Sequence, residues 1–254
     1  MKVTCNDSMA GAKWLLALLV LCSGLLVAGE QGQADEKSAE LAKKVMVAMG
    51  GHENYDKTRF LTWNFFGSRT HYWDKWTGRA RIEDHKEGFL VLMNIHDKKG
   101  KVWQNGEPVT DEKLVADKLQ WGYEVWINDS YWLVMPYKLR DPGVTLSYAR
   151  EDTMENGRPA HVLTMTFDSV GVTPENKYEV FIDKENSLVR QWAFFSKADD
   201  ENPRFTTPWE GWQDYGKIKL CGDRGKAQLT NIAVFDTLPD TVFQDPAAVS
   251  TSQL

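Results

Sequence analysis

The fold is decided by residues 59–83, which read RFLTWNFFGSRTHYWDKWTGRARIE. Apolar residues, among them Trp63 and Phe65, alternate with polar ones, and a period of two is typical of a β-strand. We predict that one strand runs through this region and carries His71 out of the core towards a rim. Residues 74–78 then form a turn, and the residues RARIE that follow begin the returning strand.

The segments on either side of this region extend the pattern. Residues 38–49 have apolar side chains at helical spacing and end at a Gly-Gly pair, which predicts a helix. Two further short strands with Gly-rich and Asp-rich turns follow residue 83, and residues 111–128 predict a second helix. A second run of strands lies between residues 144 and 235. This order predicts an α+β fold dominated by one long antiparallel sheet.

The N-terminal segment has the features of a leader for export. A basic start is followed by the apolar run WLLALLVLCSGLLVA and by small and polar residues, which is the pattern of a secretory signal peptide. The run is shorter than the roughly 20 residues of a membrane span. We predict a signal peptide with a short polar exit at 1–34, a single domain at 35–245 and a frayed tail at 246–254. A membrane-tethered form, with an uncleaved leader or with lipid on Cys22, is the alternative.

Composition narrows the classes of function. Cleavage of the leader leaves Cys221 as the remaining cysteine of the mature chain, so no internal disulfide can form. The net charge of −6 argues against nucleic acid as a partner. Neither a catalytic-serine or zinc motif nor a phosphate-binding loop occurs in the sequence, so we expect no catalytic residue, metal or cofactor.

Apolar side chains point to both faces of several predicted strands. In FLVLMNI (89–95), Phe89, Val91 and Met93 face one way, and Leu90 and Leu92 face the other. Both faces therefore need cover, and eleven tryptophans are many for this length. The rings either line an apolar cavity or simply form a closed core, and the sequence leaves both readings open.

The pattern resembles the bacterial outer-membrane lipoprotein-sorting superfamily, in an uncharacterised subgroup. The order of one helix, a meander from F-x-G through G-R-x-R to VWQNG, an inserted helix and a second set of strands carries the resemblance. The segments YWLVMPYKLRDPGV (131–144) and FDSVGVTPENKYEVFID (167–183) are more specific. The resemblance implies a long antiparallel sheet curled into a half-open β-barrel. The N-terminal helix and the inserted helix would cover its concave face.

The same resemblance implies that the concave face holds acyl chains. The residues expected on that face are Trp63, Phe65, Phe89, Val91, Met93, Trp103, Trp192 and Phe194, with Trp121 and Trp126 from the inserted helix. The carriers of this superfamily have an Arg-Pro pair in a loop at the rim, where this chain has Lys75 or Trp76 and no proline. We expect the rim to consist of His71, Lys75, Trp76, Arg79 and Arg81.

Three functions remain open at this point. The first is a monomeric periplasmic protein that binds lipid or an acylated protein without covalent chemistry and works with other envelope proteins. The second is a structural or envelope-interaction protein whose core is closed. The third is an exported hydrolase that uses a rim cluster of His71, Asp74, Arg79 and Arg81.

Overall fold

The computed structural model describes residues 32–168 and 171–249. Its first elements are β1 (Gln33–Ala34), α1 (Glu36–Ala48), α2 (His52–Lys57), β2 (Phe60–Phe65), β3 (Arg69–Asp74), β4 (Arg79–Asp84), β5 (Phe89–Asn94), β6 (Gly100–Gln104), β7 (Glu107–Pro108) and α3 (Glu112–Val134). A 3₁₀ helix (Met135–Lys138) leads to β8 (Val144–Thr153), β9 (Pro159–Phe167), β10 (Lys177–Asp183), β11 (Val189–Phe195), β12 (Phe205–Pro208), β13 (Gln213–Tyr215), β14 (Ile218–Leu220), β15 (Asp223–Arg224), β16 (Ala227–Phe235) and α4 (Thr241–Gln244).

The strands form two large sheets and one small hairpin. The eight-stranded sheet has the order β15-β16-β2-β3-β4-β5-β6-β7, and the six-stranded sheet has the order β1-β8-β9-β10-β11-β12. All pairs are antiparallel except β1 with β8. Glu210 and Asp223 exchange two backbone hydrogen bonds of 3.1 and 3.0 Å, which join the end of β12 to β15. The predicted α+β class with large antiparallel sheets is confirmed, although the strands divide into two sheets.

The region from residue 59 to residue 73 is a hairpin and not the single predicted strand. The chain reverses at residues 66–68, where Phe66 and Gly67 have φ values of 51° and 69° and Ser68 N–H donates to the Phe65 carbonyl. A bulky residue rarely adopts positive φ, so the sequence FFGS gave no strong turn signal. The reversal places His71 directly opposite Trp63, inside the sheet rather than at a rim.

The N-terminal part of the described chain is fixed by a capped helix. The Asp35 carboxylate accepts a hydrogen bond of 2.8 Å from the Ser38 N–H, which starts α1 as an N-cap. Leu41 and Val45 lie on the buried face of α1, as the predicted helix required. Most of the predicted leader lies outside the described residues, but Gln33–Ala34 pairs with β8 and belongs to the sheet.

Helix α3 is longer than the sequence predicted. It starts after Asp111, whose carboxylate accepts from the Leu114 N–H at 2.7 Å, and it continues past residue 128 to Val134. Pro136 falls in the first turn of the following 3₁₀ helix, where the missing N–H of proline is tolerated, so α3 is not interrupted earlier. In the described part of the chain, no helix has both the length and the apolar character needed to cross a membrane.

Candidate ligand-binding site

The side of the two sheets that faces α3 is called the inner face. In antiparallel pairs, directly opposite residues share a face, and one row of partners in the eight-stranded sheet is Trp63, His71, Ile82, Val91 and Val102. Five of the residues predicted on this face lie there and are buried. They are Trp63, Phe65, Phe89, Val91 and Met93.

The prediction for Trp103 was wrong. Trp103 is the direct partner of Leu90, whereas Val102 is the partner of Val91, so Trp103 lies on the outer face. Because side chains alternate along a strand, a register that differs by one residue moves a side chain to the opposite face.

The N-terminal half of α3 seals the inner face of the eight-stranded sheet. Gly122 lies so close to the strands that a Cβ atom at this position would be 3.1 Å from both Met93 Sδ and Val91 Cγ1. Trp121 and Trp126 pack beside it on the same apolar cluster, as predicted for residues of the covering helix. The residues expected to line a cavity on this sheet are therefore packed as core.

A buried ionic cluster fixes the C-terminal half of α3 to strand β3. Asp129 is fully buried and accepts two hydrogen bonds from Arg69, of 2.7 and 3.0 Å, and one of 2.7 Å from His71 Nε2. The imidazole of His71 stacks on Trp63 with ring centroids 4.6 Å apart. Burial acts to raise the pKa of Asp129, but the hydrogen bonds from His71 and Arg69 outweigh it and hold the pKa below its usual value.

A cavity of about 280 Å³ lies between the C-terminal half of α3 and the inner face of the six-stranded sheet. Its lining residues, mostly aromatic or aliphatic, are Ile127, Asn128, Tyr131, Trp132, Lys138, Asp141, Pro142, Val144, Phe167, Gly171, Val172, Thr173, Tyr178 and Trp192. Trp192 is the predicted ligand-binding residue that this lining includes. Predicted residue Phe194 lies next to the lining, with its ring centroid 5.5 Å from that of Tyr178.

Aromatic rings from both sides form the interior of the cavity. Tyr178 stacks on Trp192 with ring centroids 4.6 Å apart, and Tyr131 of α3 approaches both rings at 6.0 and 6.3 Å. Burial raises the pKa of the Tyr131 hydroxyl and of the Tyr178 hydroxyl, so both stay neutral. The Tyr131 hydroxyl contacts Met165 Sδ at 3.5 Å, which is a weak hydrogen bond. The interior therefore presents uncharged, mostly apolar surface.

The mouth of the cavity is polar. Lys138 and Asp141 form an ion pair there, and each side chain keeps more than a third of its surface exposed. Asn128 and Thr173 add uncharged polar groups to the lining, and Val172 is exposed. An apolar interior with a polar mouth of balanced charge fits a molecule that has one apolar end and one polar end.

The residues predicted at the rim do not form one site. His71 and Arg81 are 1% and 2% exposed, so neither lies at a rim. Arg81 is on the outer face, where it donates to the carbonyls of Asp245 and Ala247 at 2.8 and 3.0 Å. These bonds also hold the first residues of the segment that was expected to fray.

The other predicted rim residues lie at the turn between β3 and β4. Arg79 donates to Asp74 and Asp240 at 2.9 and 2.7 Å. Burial lowers the pKa of the Lys75 ammonium to about 8, and the ammonium lies 3.3 Å from the centroid of the Tyr55 ring. Trp76 is 60% exposed. None of these residues lines the cavity.

The arrangement also separates the cluster proposed for a hydrolase. His71 lies on the inner face, whereas Asp74, Arg79 and Arg81 lie on the outer face. Side chains alternate between the two faces of a strand, and Asp74 is three residues from His71 in β3. Arg79 and Arg81 are three residues and one residue from Ile82, the inner-face residue of β4. The sheet stands between the imidazole and the other three side chains. No group of three or more His, Cys, Asp or Glu in the described ranges could hold a metal ion.

Most of the cavity lining was missed from the strand pattern, but the sequence did carry a signal for it. The two segments quoted for their specific resemblance, 131–144 and 167–183, contain most of the lining residues. They were recognised as distinctive stretches and not as one site. The sequence of neither segment shows that the two line the same cavity, between α3 and the six-stranded sheet.

Three solved structures are similar to this chain in fold. A DUF1329 family protein from Desulfovibrio piger is 12% identical, with a TM-score of 0.41 over 82% of this chain and 96% of that one. An outer membrane lipoprotein-sorting protein domain from Vibrio parahaemolyticus is 9% identical, with a TM-score of 0.43 and the same coverage of 82% and 96%. A LolA superfamily protein from Nitrosomonas europaea is 10% identical, with a TM-score of 0.39 over 81% and 96%.

No protein-family profile matches the chain, and no curated protein matches it in sequence. Two of the three structures carry in their names the superfamily that the sequence resembles. At such low identity the likeness concerns the course of the chain alone. The function must therefore be argued from the cavity itself.

Proposed function

We propose that this protein binds the apolar part of a lipid, or an acyl chain of an acylated protein, in the cavity beneath the C-terminal half of α3. The observation that carries the proposal is the cavity of about 280 Å³, with aromatic walls and an ion pair at its mouth. Binding involves no covalent step, and no metal or cofactor takes part in it.

The size and the lining of the cavity define the kind of ligand. Small-molecule sites commonly have volumes of roughly 300–1,000 Å³, so this cavity of about 280 Å³ lies just below that range and holds a single short acyl chain or part of a longer one. Burial of that chain against rings such as Tyr178 and Trp192 supplies affinity, at roughly 25 cal/mol for each Å² of apolar surface removed from water. The polar head of the ligand remains at the mouth, beside Lys138 and Asp141.

The wider proposal concerns location and shape. The predicted leader places the mature protein in the periplasm, where lipids and acylated proteins pass between membranes. The two sheets, joined where Glu210 pairs with Asp223, act in this proposal as one half-open barrel around α3. The protein works as a monomer and exchanges its ligand with another component of the envelope.

Filling the cavity tests the proposal. We expect Ile127→Trp, on the wall that α3 provides, to reduce the affinity for a fluorescent hexadecanoic acid by at least tenfold, because the new ring occupies the space of the chain. Val47→Trp is the matched control, since Val47 is a 68% exposed helix residue outside the lining and should leave the affinity unchanged. The measurement is a fluorescence titration, with denaturant unfolding to show that both variants fold.

Val172→Trp provides a second test at the exposed mouth, where the larger side chain does not disturb the core. A parent protein that fails to bind the fatty acid would exclude the proposed function. Equal affinities in the parent and in both cavity variants would show that the fatty acid binds elsewhere on the surface.

A further inference from the structure

The floor of the cavity continues beyond its walls along the six-stranded sheet. Val144 and Phe167 are direct cross-strand partners, and the ring centroid of Phe167 is 5.6 Å from that of Tyr178. Tyr178 is in turn the direct partner of Phe194, and Phe194 is the partner of Phe205 on the edge strand β12. The direct partner of Tyr178 on β9 is Met165, two residues from Phe167 on the same face, so this row of apolar residues shares one face at the same end of five strands.

Exposure rises along this row from the cavity to the edge. Tyr178 is 9% exposed, Phe194 is half-buried, and Phe205 is 38% exposed. The ring centroids of Tyr178 and Phe194 are 5.5 Å apart, and those of Phe194 and Phe205 are 5.1 Å apart. The row therefore leads from buried rings to solvent without an interruption in ring contact.

Trp132 connects this exposed part of the row with the cavity. Its indole lines the cavity, and it lies nearly parallel to the ring of Phe205, at 14° with centroids 6.2 Å apart. Phe66 approaches Trp132 edge-on, with ring centroids 5.3 Å apart. The three residues Trp132, Phe194 and Phe205 are called the aromatic shelf.

We propose that the aromatic shelf is a second part of the binding site and receives the end of an acyl chain that is too long for the cavity. This inference rests on the proposed function of the cavity. Large apolar side chains that are exposed beside a cavity are typical of ligand-binding surfaces, and the shelf continues the cavity floor in direct cross-strand register. The polar head at Lys138 and Asp141 and the chain end at Phe205 then define the direction in which the ligand lies.

The shelf makes the protein selective for long chains. An octanoyl chain is short enough to remain within the cavity and does not need the shelf. A hexadecanoyl chain leaves the cavity past Trp132, and its last methylene groups contact Phe194 and Phe205 instead of water. Each methylene group that is buried on the shelf is removed from water, so the shelf raises the affinity for the longer chain about tenfold.

The test compares two fatty acids on one shelf variant. We expect Phe205→Ser to weaken the binding of hexadecanoic acid about tenfold and to leave that of octanoic acid unchanged within twofold, both measured by calorimetric titration. Trp76→Ser is the control, because Trp76 is a 60% exposed ring that lies outside the cavity lining and the shelf, and it should change neither affinity. Phe205→Tyr keeps the ring and should retain the preference for the long chain.

The outcomes separate this inference from the proposed function. If the parent protein binds neither fatty acid, the cavity is not a site for acyl chains and both proposals fail. If both acids bind and Phe205→Ser weakens them equally, or weakens neither, the cavity is the whole site and the shelf has no part in it. Loss of the long-chain preference in Phe205→Tyr would also contradict a role for the ring.

Discussion

The two halves of α3 cover similar apolar surfaces with opposite results. The N-terminal half contacts the eight-stranded sheet through Gly122, which lets the helix backbone approach Val91 and Met93 closely. The C-terminal half places Tyr131 and Trp132 over the six-stranded sheet, and these large rings coincide with a cavity. The comparison shows that one glycine lets the helix pack directly on one sheet, whereas the rings of Tyr131 and Trp132 line a cavity on the other.

The largest expected effect concerns Asp129, which fixes the C-terminal half of α3 to strand β3. Asp129→Ala removes the carboxylate that Arg69 and His71 bind, and it leaves the buried imidazole and the partly buried guanidinium without this partner. Loss of one partner of a buried pair typically lowers the free energy of unfolding by about 3–5 kcal/mol. Urea unfolding measures the change.

Asp117→Ala on the same helix is the control for this prediction. Asp117 pairs with Lys113 on the exposed surface, where an ion pair contributes little to stability. If both variants lost the same small amount, Asp129 would not fix α3 to strand β3.

A larger side chain at position 122 tests the close packing of the N-terminal half of α3 on the eight-stranded sheet. We expect Gly122→Leu to lower the free energy of unfolding by about 1–3 kcal/mol, because Met93 and Val91 leave no room for it. Affinity for fatty acid should remain unchanged, since the lining of the cavity does not include this position. Denaturant unfolding and a binding titration measure the two quantities. If Gly122→Leu were stable but bound less fatty acid, the ligand would lie under the N-terminal half of α3, which would contradict the proposed cavity.

Acid should weaken the attachment of α3 in a way that depends on Asp129. Its pKa in the folded protein is lower than the usual value of 3.8, so its contribution to stability is present above that value and is lost as pH falls through the folded pKa. The difference in unfolding free energy between the parent and Asp129→Asn should therefore shrink as pH is lowered below about 4. A difference that stayed constant down to the lowest accessible pH would contradict the lowered pKa.

The smallest expected effect comes from the hydroxyl of Tyr131. Its partner is Met165 Sδ at 3.5 Å, and sulfur is a weak acceptor. Tyr131→Phe should change the free energy of unfolding by less than about 1 kcal/mol and leave fatty-acid affinity within twofold. A large loss of affinity with normal stability would show that the hydroxyl bonds the ligand directly.

The sequence predicted local features well where one strand or helix decides them. Alternation correctly placed Val91 and Met93 on the same face of one strand, where both belong to one apolar cluster. These predictions succeed because period and burial are properties of a single element.

Features that depend on contacts between distant elements could not be predicted. Trp103 was placed on the wrong face because its position depends on the pairing of β5 with β6. The turn at Phe66 was missed because a positive φ on a bulky residue needs support from the surrounding structure. Whether the inner face is open or closed depends on how near α3 lies to each sheet, and this distance is set by contacts such as those of Gly122.

Organic extraction followed by mass spectrometry tests the central claim most directly. The parent protein and Val172→Trp are purified without detergent, and the acyl-containing molecules in each are counted against protein. We predict about one such molecule for each parent chain and clearly fewer for Val172→Trp. A parent protein free of acyl-containing molecules that also fails to bind added hexadecanoic acid would contradict the claim, and both halves of α3 would then cover a core.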